Sequence, residues 1–114
     1  MADLGRAVRL WRRVPPLQRN DDGSAQTSAF KSSSLCVHVV ERTTLDDVRN
    51  KYPESHVYEF SVGDAIDAGA ERVDDTLEAG DDPDHAMILG ANTKKGSFGK
   101  ALKAKAVCVW PPPA

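Results

Sequence analysis

Short apolar runs, separated by turn-forming residues, dominate this 114-residue chain. The two most apolar runs span residues 35–40 and 86–91. Both are far shorter than the roughly 20 apolar residues that a membrane-spanning helix needs. Short runs between Gly, Pro, Asn and Asp clusters are typical of small strands and helices. The pattern therefore predicts one domain, residues 1–114, without a membrane segment. Within it we expect a flexible start, residues 1–8, and a proline tail, residues 111–114.

Hydrophobic periodicity predicts more strands than helices. Alternation and Val-rich runs indicate strands, whereas apolar residues spaced by three or four after a capping residue indicate helices. The segment 35–41 is apolar on both faces and should be a central strand. This mixture predicts an α+β fold, with a small mixed β-sheet of about five to six strands and two or three short helices. Seven segments are candidate strands for this sheet, at 9–14, 27–31, 35–41, 56–62, 71–77, 85–89 and 107–110. Helices are predicted at 45–52, capped by Thr43 or Thr44, at 64–68, capped by Ser61 with Asp64, and at 97–106.

One segment has a competing interpretation. Leu4, Ala7, Val8 and Trp11 follow the 3.6-residue period of an amphipathic helix, which would replace the strand predicted at 9–14. Pro15 and its neighbour end either element, since proline lacks a backbone donor.

Charge is segregated along the chain although the net charge is only −2. Residues 1–40 carry six basic and three acidic side chains, and residues 41–84 carry four basic and fourteen acidic ones. Residues 85–114 carry five lysines and no acid. We expect the ends to neutralise the middle in the fold or to lie on solvated faces. The alternative is a bipolar surface whose basic part attracts an anionic partner.

Two cysteines lie inside apolar segments. Without a secretory signal in the sequence, Cys36 and Cys108 are expected to be reduced thiols, which points to the cytoplasm. A disulfide between them requires neighbouring strands. Cys36 and His38 share one strand face, so a metal site or a nucleophile pair with Cys108 is a further alternative. No spaced ligand set supports that alternative, and we predict no metal and no cofactor.

The loop from Gly90 to Lys100 is the candidate anion site. It lies between a predicted strand and a predicted helix, where backbone N–H groups suit an anion. Lys94, Lys95 and Ser97 add positive charge and a hydroxyl. Ala101 stands where a Walker A loop needs Ser or Thr, so the loop is not that motif. The alternative is an ordinary surface loop.

His85 is the candidate catalytic residue. It opens an apolar strand directly after an acidic loop, where an imidazole can act as a general base or bind a ligand. It can equally hold the acidic loop in place by a hydrogen bond. His56, at the start of another predicted strand, has less support from its surroundings.

Four arginines cluster around Trp11 near the start of the chain. Guanidinium groups pair with phosphates and stack on bases, so such a cluster can indicate nucleic-acid binding. In a strand, however, Arg12 and Arg13 leave from opposite faces, and the chain is mildly acidic overall. We therefore expect no nucleic-acid partner. Trp11 should pack, and the arginines should pair with the acidic middle.

Short motifs along most of the chain resemble a group of small single-domain bacterial proteins to which no function is assigned. The motifs are the sequences LWRRVP at 10–15, TSAFK at 27–31, LCVHV at 35–39 and PDHA at 83–86. The resemblance implies an intracellular bacterial protein. It also draws attention to Arg12, Ser28, Phe30 and His85, which carry the similarity.

Two functions follow as hypotheses. The first is a cytoplasmic accessory or protein-interaction module that is not an enzyme, based on the charge segregation and the lack of a catalytic motif. The second is a small domain that binds or acts on a phosphorylated, nucleotide-like ligand through the Gly90–Lys100 loop, His85 and Arg12. The predicted ligand-binding residues are Arg12, Arg13, Ser28, Lys94, Lys95 and Ser97. Oligomeric state is not predicted.

Overall fold

Six antiparallel strands form one sheet in the computed structural model, which describes residues 4–75 and 84–111. The strand order is β4-β5-β2-β1-β3-β6, so β2 and β1 are central. The strands are β1 (Arg9–Val14), β2 (Leu35–Val39), β3 (His56–Ser61), β4 (Arg72–Asp74), β5 (His85–Leu89) and β6 (Val107–Trp110).

Three short α-helices complete the fold. They are α1 (Leu45–Lys51), α2 (Val62–Ala68) and α3 (Gly96–Lys105), and short 3-10 helices span Pro16–Gln18, Thr27–Phe30 and Val40–Arg42. The predicted α+β class, the strand count and the helix count are confirmed. We expected a mixed sheet, but each strand pairing in the described residues is antiparallel. Short apolar runs reveal that strands exist but not how they pair, because direction depends on partners distant in the chain.

Two local predictions differ from the structure. The segment 27–31 forms a 3-10 helix rather than a strand, and it buries Ala29 and Phe30 under the sheet. The helical alternative around Trp11 does not form. Residues 9–14 instead pair with β2 on one side and β3 on the other, which buries Leu10 and Val14 completely. Tertiary pairing outweighs a weak helical period here.

The starts of α1 and α2 follow the predicted capping chemistry, whereas Lys95 at the start of α3 makes no side-chain cap. The Thr44 hydroxyl accepts a hydrogen bond of 3.1 Å from the Asp47 backbone N–H at the start of α1. Ser61 and Asp64 form a reciprocal capping box at the start of α2, with distances of 2.9 and 3.0 Å. Each cap satisfies backbone donors that a helix leaves without a partner.

The sheet has two differently covered faces. On the first face, strand side chains such as Leu10 and Phe60 pack with Phe98 and Leu102 of α3, and α2 and the Thr27–Phe30 helix also contribute to this core. On the second face, Trp11 and Val57 pack with Val48 of α1. Successive strand residues point to opposite faces, so neighbours in sequence enter different environments.

Segments near the chain start contact the sheet. The Leu4 backbone N–H donates to the Val73 carbonyl at 2.9 Å, and Val62 N–H donates to the Val8 carbonyl at 2.9 Å. Arg6 also pairs with Asp67. Residues 4–8, which we expected to be flexible, are therefore tied to β4 and α2. Residues 1–3 and the proline tail beyond Pro111 lie outside the described residues.

Candidate functional site

A group of polar side chains lies together on the second face. We call it the histidine cluster, and it comprises Arg13, His38, Tyr52, Asp84 and His85. Arg13 projects from β1, His38 from β2 and His85 from β5, while Tyr52 follows α1 and Asp84 precedes β5. The sheet register pairs His38 with His85. Four separate parts of the chain therefore meet at one point.

The histidine cluster is held by short polar contacts. His38 Nδ1 lies 2.6 Å from Asp84 Oδ2, and Arg13 Nε donates to His38 Nε2 at 2.9 Å. The Arg13 guanidinium carbon stands 3.5 Å from the Tyr52 ring centroid, a cation–π contact. The His38 and His85 rings meet edge-on, with centroids 4.9 Å apart. His38 is only 3% exposed.

These contacts determine where the His38 proton sits. A guanidinium group can only donate, so His38 Nε2 must be the acceptor of the Arg13 bond. The remaining ring proton is then on Nδ1 and is donated to the Asp84 carboxylate. His38 is therefore neutral in this arrangement, and protonating Nε2 would break its bond to Arg13.

Burial also favours the neutral form of His38. It lowers the pKa of His38 against the opposing effect of the Asp84 carboxylate, and Arg13 and His85 lower the pKa further. For Asp84, burial is the largest single effect and favours a higher pKa, but the hydrogen bond from His38, the neighbouring histidines and a backbone hydrogen bond together outweigh it, so the Asp84 pKa is lowered. The pair is thus a neutral imidazole on an ionised carboxylate.

An Asp–His pair of this kind can in principle activate a nucleophile. Here, however, the Nε2 lone pair is used by Arg13, and the His38 ring is buried. In this arrangement, proton transfer at Nε2 would require Arg13 to move first. The geometry instead joins α1 and the residues before β5 to the sheet.

The prediction found part of this cluster. Arg13 and His85 were candidates, and the structure brings them together on the second face. His38 and Asp84 were not chosen as site residues. The signal for His38 was its place between Val37 and Val39, which turns its side chain away from the main core. Asp84 was visible only as one acid among several before β5.

Arg12 lies apart from the histidine cluster. Its Nε donates to the Ala29 carbonyl at 2.8 Å, and its Nη1 donates to the Cys36 carbonyl at 3.0 Å. Burial lowers the pKa of Arg12, and the neighbouring charge of Arg13 adds to this effect. These two bonds fix the Thr27–Phe30 helix to the sheet, so Arg12 acts here as a packing residue.

The remaining anion candidates lie near α3. Ser28 is exposed in the Thr27–Phe30 helix and donates to Gln26 Oε1 at 3.3 Å. Lys94, Lys95 and Ser97 are exposed around the start of α3. Because α3 packs on the first face and His85 projects from the second, the structure does not join these residues to His85 in one cleft.

Arginines neutralise much of the acidic middle. Arg6 pairs with Asp67 at 2.9 Å, Arg42 with Asp75, and Arg49 with Asp46 at 3.7 Å. Glu59 accepts from both Arg9 Nε at 2.9 Å and the Trp11 indole at 2.8 Å. Arg49 also stacks on the Trp110 ring at 3.5 Å. These arginines therefore form ion pairs or ring contacts within the protein, as expected, although Arg6 and Arg9 remain exposed.

The lysines behave differently. We call Lys94, Lys95, Lys100, Lys103 and Lys105 the lysine surface. Within residues 4–75 and 84–111, none of these lysines forms an ion pair. Lys103 does lie near enough to the exposed Asp22 to help lower its pKa, after the larger effect of hydrogen bonds from Ser24. Four of the five lysines are exposed.

A shallow cleft of about 540 Å³ opens on this surface. It lies between the Thr27–Phe30 helix and α3, and its lining residues are Thr27, Lys100, Lys103 and Ala104.

The two cysteines are far apart. Cys36 is on β2 and Cys108 on β6, with β1 and β3 between them, so about 14 Å of sheet separates the strands. Both are free thiols. This distance excludes the intramolecular disulfide and any metal or nucleophile site shared by both cysteines. In the described part of the chain, no group of three or more His, Cys, Asp and Glu side chains is arranged to hold a metal.

No helix in the described residues has the length and apolar character needed to cross a bilayer. Comparisons with protein-family models, curated proteins and solved structures found no match.

Proposed function

We propose that this protein is a cytoplasmic interaction module, not an enzyme, that binds an acidic protein partner through the lysine surface. The observation that carries the proposal is the contrast between the arginines that pair with acids and the lysines near α3. Arginines pair with Asp67, Glu59 and Asp75 within the fold, whereas Lys94, Lys95, Lys100 and Lys105 form no ion pair among the described residues.

Charge complementarity gives such a surface its binding role. An acidic partner gains attraction from several ammonium groups at once, and the field of the cluster speeds its approach. Lys103 and Lys105 stand in the last turn of α3, where positive charge stabilises a helix, but the exposed like charges also repel one another, which opposes folding. The histidine cluster supports the non-enzymatic part of the proposal, because the Nε2 lone pair of the buried His38 already accepts from Arg13 and its Nδ1 is bound to Asp84.

We place the protein in the bacterial cytoplasm within this proposal. The resemblance to small bacterial proteins supports the source. The free thiols Cys36 and Cys108 support a reducing compartment.

The proposal is tested with two labelled peptides of equal length, one rich in Glu and one with Gln at the same positions. Fluorescence anisotropy at about 20 mM NaCl should show binding of the Glu peptide only. Raising NaCl to about 300 mM should weaken that binding at least tenfold, because exposed charges are screened. Equal binding of both peptides, or insensitivity to salt, would overturn the proposal.

Two single charge reversals locate the binding surface. Lys95→Glu should weaken binding of the Glu peptide about threefold or more. Lys51→Glu changes the charge equally on an exposed residue of α1, on the opposite face of the sheet, and should change binding by less than about half. Equal effects would show that net charge alone matters and that the lysine surface is not the site.

A further inference from the structure

We propose that the cleft between the Thr27–Phe30 helix and α3 binds a phosphate monoester. This inference rests on the proposed function, because the cleft lies in the lysine surface, and it names the anionic group recognised there. The cleft has a volume of about 540 Å³, which lies within the range of roughly 300–1,000 Å³ typical of small-molecule sites.

Gly99 brings the two walls of the cleft together. A Cβ atom at this position would lie 3.0 Å from Thr27 Cγ2, 3.0 Å from the Thr27 carbonyl oxygen and 3.1 Å from Lys31 Cβ. Gly99 is buried, and a side chain here would force the Thr27–Phe30 helix to shift by a few tenths of an ångström away from α3. The approach puts Thr27 beside the lysines of α3.

The lining supplies donors and charge from two elements. Lys100 and Lys103 are three residues apart in α3, so their side chains start on the same side, about 5–6 Å apart. Thr27 lines the opposite wall, and its side chain carries a hydroxyl that can donate. Neither Lys100 nor Lys103 forms an ion pair within the described residues, although Lys103 is near the exposed Asp22.

This donor set fits a phosphate monoester better than a carboxylate. A phosphate monoester carries nearly two negative charges at neutral pH and three acceptor oxygens. The two ammonium groups match the two negative charges, and together with the Thr27 hydroxyl they provide a donor for each of the three oxygens. A carboxylate has one charge and two oxygens, so it leaves one lysine uncompensated. The phosphoryl group belongs either to a phosphorylated side chain of the partner or to a free small molecule.

The test uses three peptides of one neutral sequence that differ only at a central Ser, Asp or phosphoserine. Isothermal titration at about 20 mM NaCl should give a Kd at least tenfold lower for the phosphoserine peptide than for the Asp peptide. Inorganic phosphate should compete with the phosphoserine peptide. If inorganic phosphate competes at a concentration near the peptide Kd, the phosphoryl group alone is recognised, as expected for a free small-molecule ligand. If it competes only at a far higher concentration, the peptide around the phosphoserine is also recognised, as expected for a phosphorylated partner.

Matched double variants separate cleft binding from general attraction. Lys100→Gln with Lys103→Gln should remove the preference for phosphoserine over Asp. Lys94→Gln with Lys95→Gln removes the same charge outside the cleft lining. This double variant should weaken the binding of both peptides equally, so the preference for phosphoserine over Asp should remain. Thr27→Val should reduce the preference about threefold or more. Circular dichroism and thermal unfolding confirm that each variant is folded.

The outcomes distinguish the two proposals. If the phosphoserine and Asp peptides bind equally, the phosphate inference is overturned while an acidic partner remains supported. If the Glu-rich peptide of the first test and the phosphoserine peptide both fail to bind, both proposals fail. If the preference survives in the Lys100 and Lys103 variant, the phosphate site is not this cleft.

Discussion

At the scale of single residues, His38 shows how a buried polar side chain is accommodated. Arg13 donates to one ring nitrogen and Asp84 accepts from the other, so both ring nitrogens have partners. Removing one partner from such a buried network costs more than the network contributes when intact, because the remaining group keeps its desolvation penalty.

The lowered pKa of His38 predicts a pH-dependent stability. In the unfolded chain the imidazole takes up a proton as the pH falls through about 6.5, whereas the folded protein resists this protonation. The contribution of His38 to the free energy of unfolding should therefore be fully present above pH 6.5. It should decrease as the pH drops below 6.5, until the pKa of His38 in the folded protein is reached. Urea unfolding at about pH 7.5, 6.5 and 5.5 measures this slope.

Two variants assign the slope to its histidine. His38→Gln should flatten the pH dependence below pH 6.5 and lower stability at neutral pH. His56 also has a pKa lowered by burial and by Arg19, so His56→Gln should reduce the slope only in part. An unchanged slope in His38→Gln would contradict the buried neutral assignment.

The sheet face to which a side chain points was predictable wherever strand residues alternate. The sequence predicted that Arg12 and Arg13 point to opposite faces and that Cys36 and His38 point to the same face, since the period of a strand is two. It could not show that His38 meets Asp84, 46 residues away, because that contact depends on β2 and β5 being neighbours in the sheet.

At the scale of elements, Gly99 controls the packing of α3 on the Thr27–Phe30 helix. Gly99→Ala should lower the free energy of unfolding by about 1–3 kcal/mol, since the new Cβ would stand 3.0 Å from Thr27 atoms. Gly96→Ala is the control in the same helix, because nothing lies within 4 Å of its Cβ position. It should leave stability unchanged or raise it by up to about 1 kcal/mol. Urea unfolding measures both, and equal effects would exclude the packing explanation.

The α2 capping box makes a second prediction at this scale. Ser61→Ala removes the hydroxyl that accepts from the Asp64 backbone N–H at 3.0 Å. It should lower the free energy of unfolding by about 1 kcal/mol, as measured by thermal or urea unfolding. Ser33→Ala, in an exposed connector, should change stability by less than about 0.5 kcal/mol. A neutral Ser61→Ala would show that packing alone holds α2 in place.

Most elements were predictable because their signals are local. The helices α1 and α2 begin at the predicted capping residues, and β5 spans the predicted 85–89. The segment 27–31 was not predictable as a 3-10 helix. Its conformation depends on the Arg12 bond to the Ala29 carbonyl and on burial of Phe30, both of which are tertiary contacts.

At the scale of the whole molecule, salt should separate folding from binding. The internal pairs Arg6–Asp67 and Arg9–Glu59 are largely solvent-accessible, and such pairs contribute little. Raising NaCl from about 20 to 300 mM should therefore change the free energy of unfolding by less than about 1 kcal/mol. Binding of the Glu-rich peptide should weaken at least tenfold over the same range. Parallel unfolding and anisotropy titrations measure both, and a stability loss as large as the binding loss would contradict this separation.

The sequence by itself determined the α+β class, most element positions, the capping residues and the segregation of charge. These features depend on periodicity, on local hydrogen bonds and on counting, so neighbouring residues suffice to reveal them. The tertiary structure alone decided the antiparallel strand order, the joining of Arg13, His38 and Asp84, and which acid each arginine pairs with. It also decided that Lys100 and Lys103 of α3 line a cleft with Thr27. Each of these requires segments far apart in the chain to meet, and no local pattern specifies which ones do.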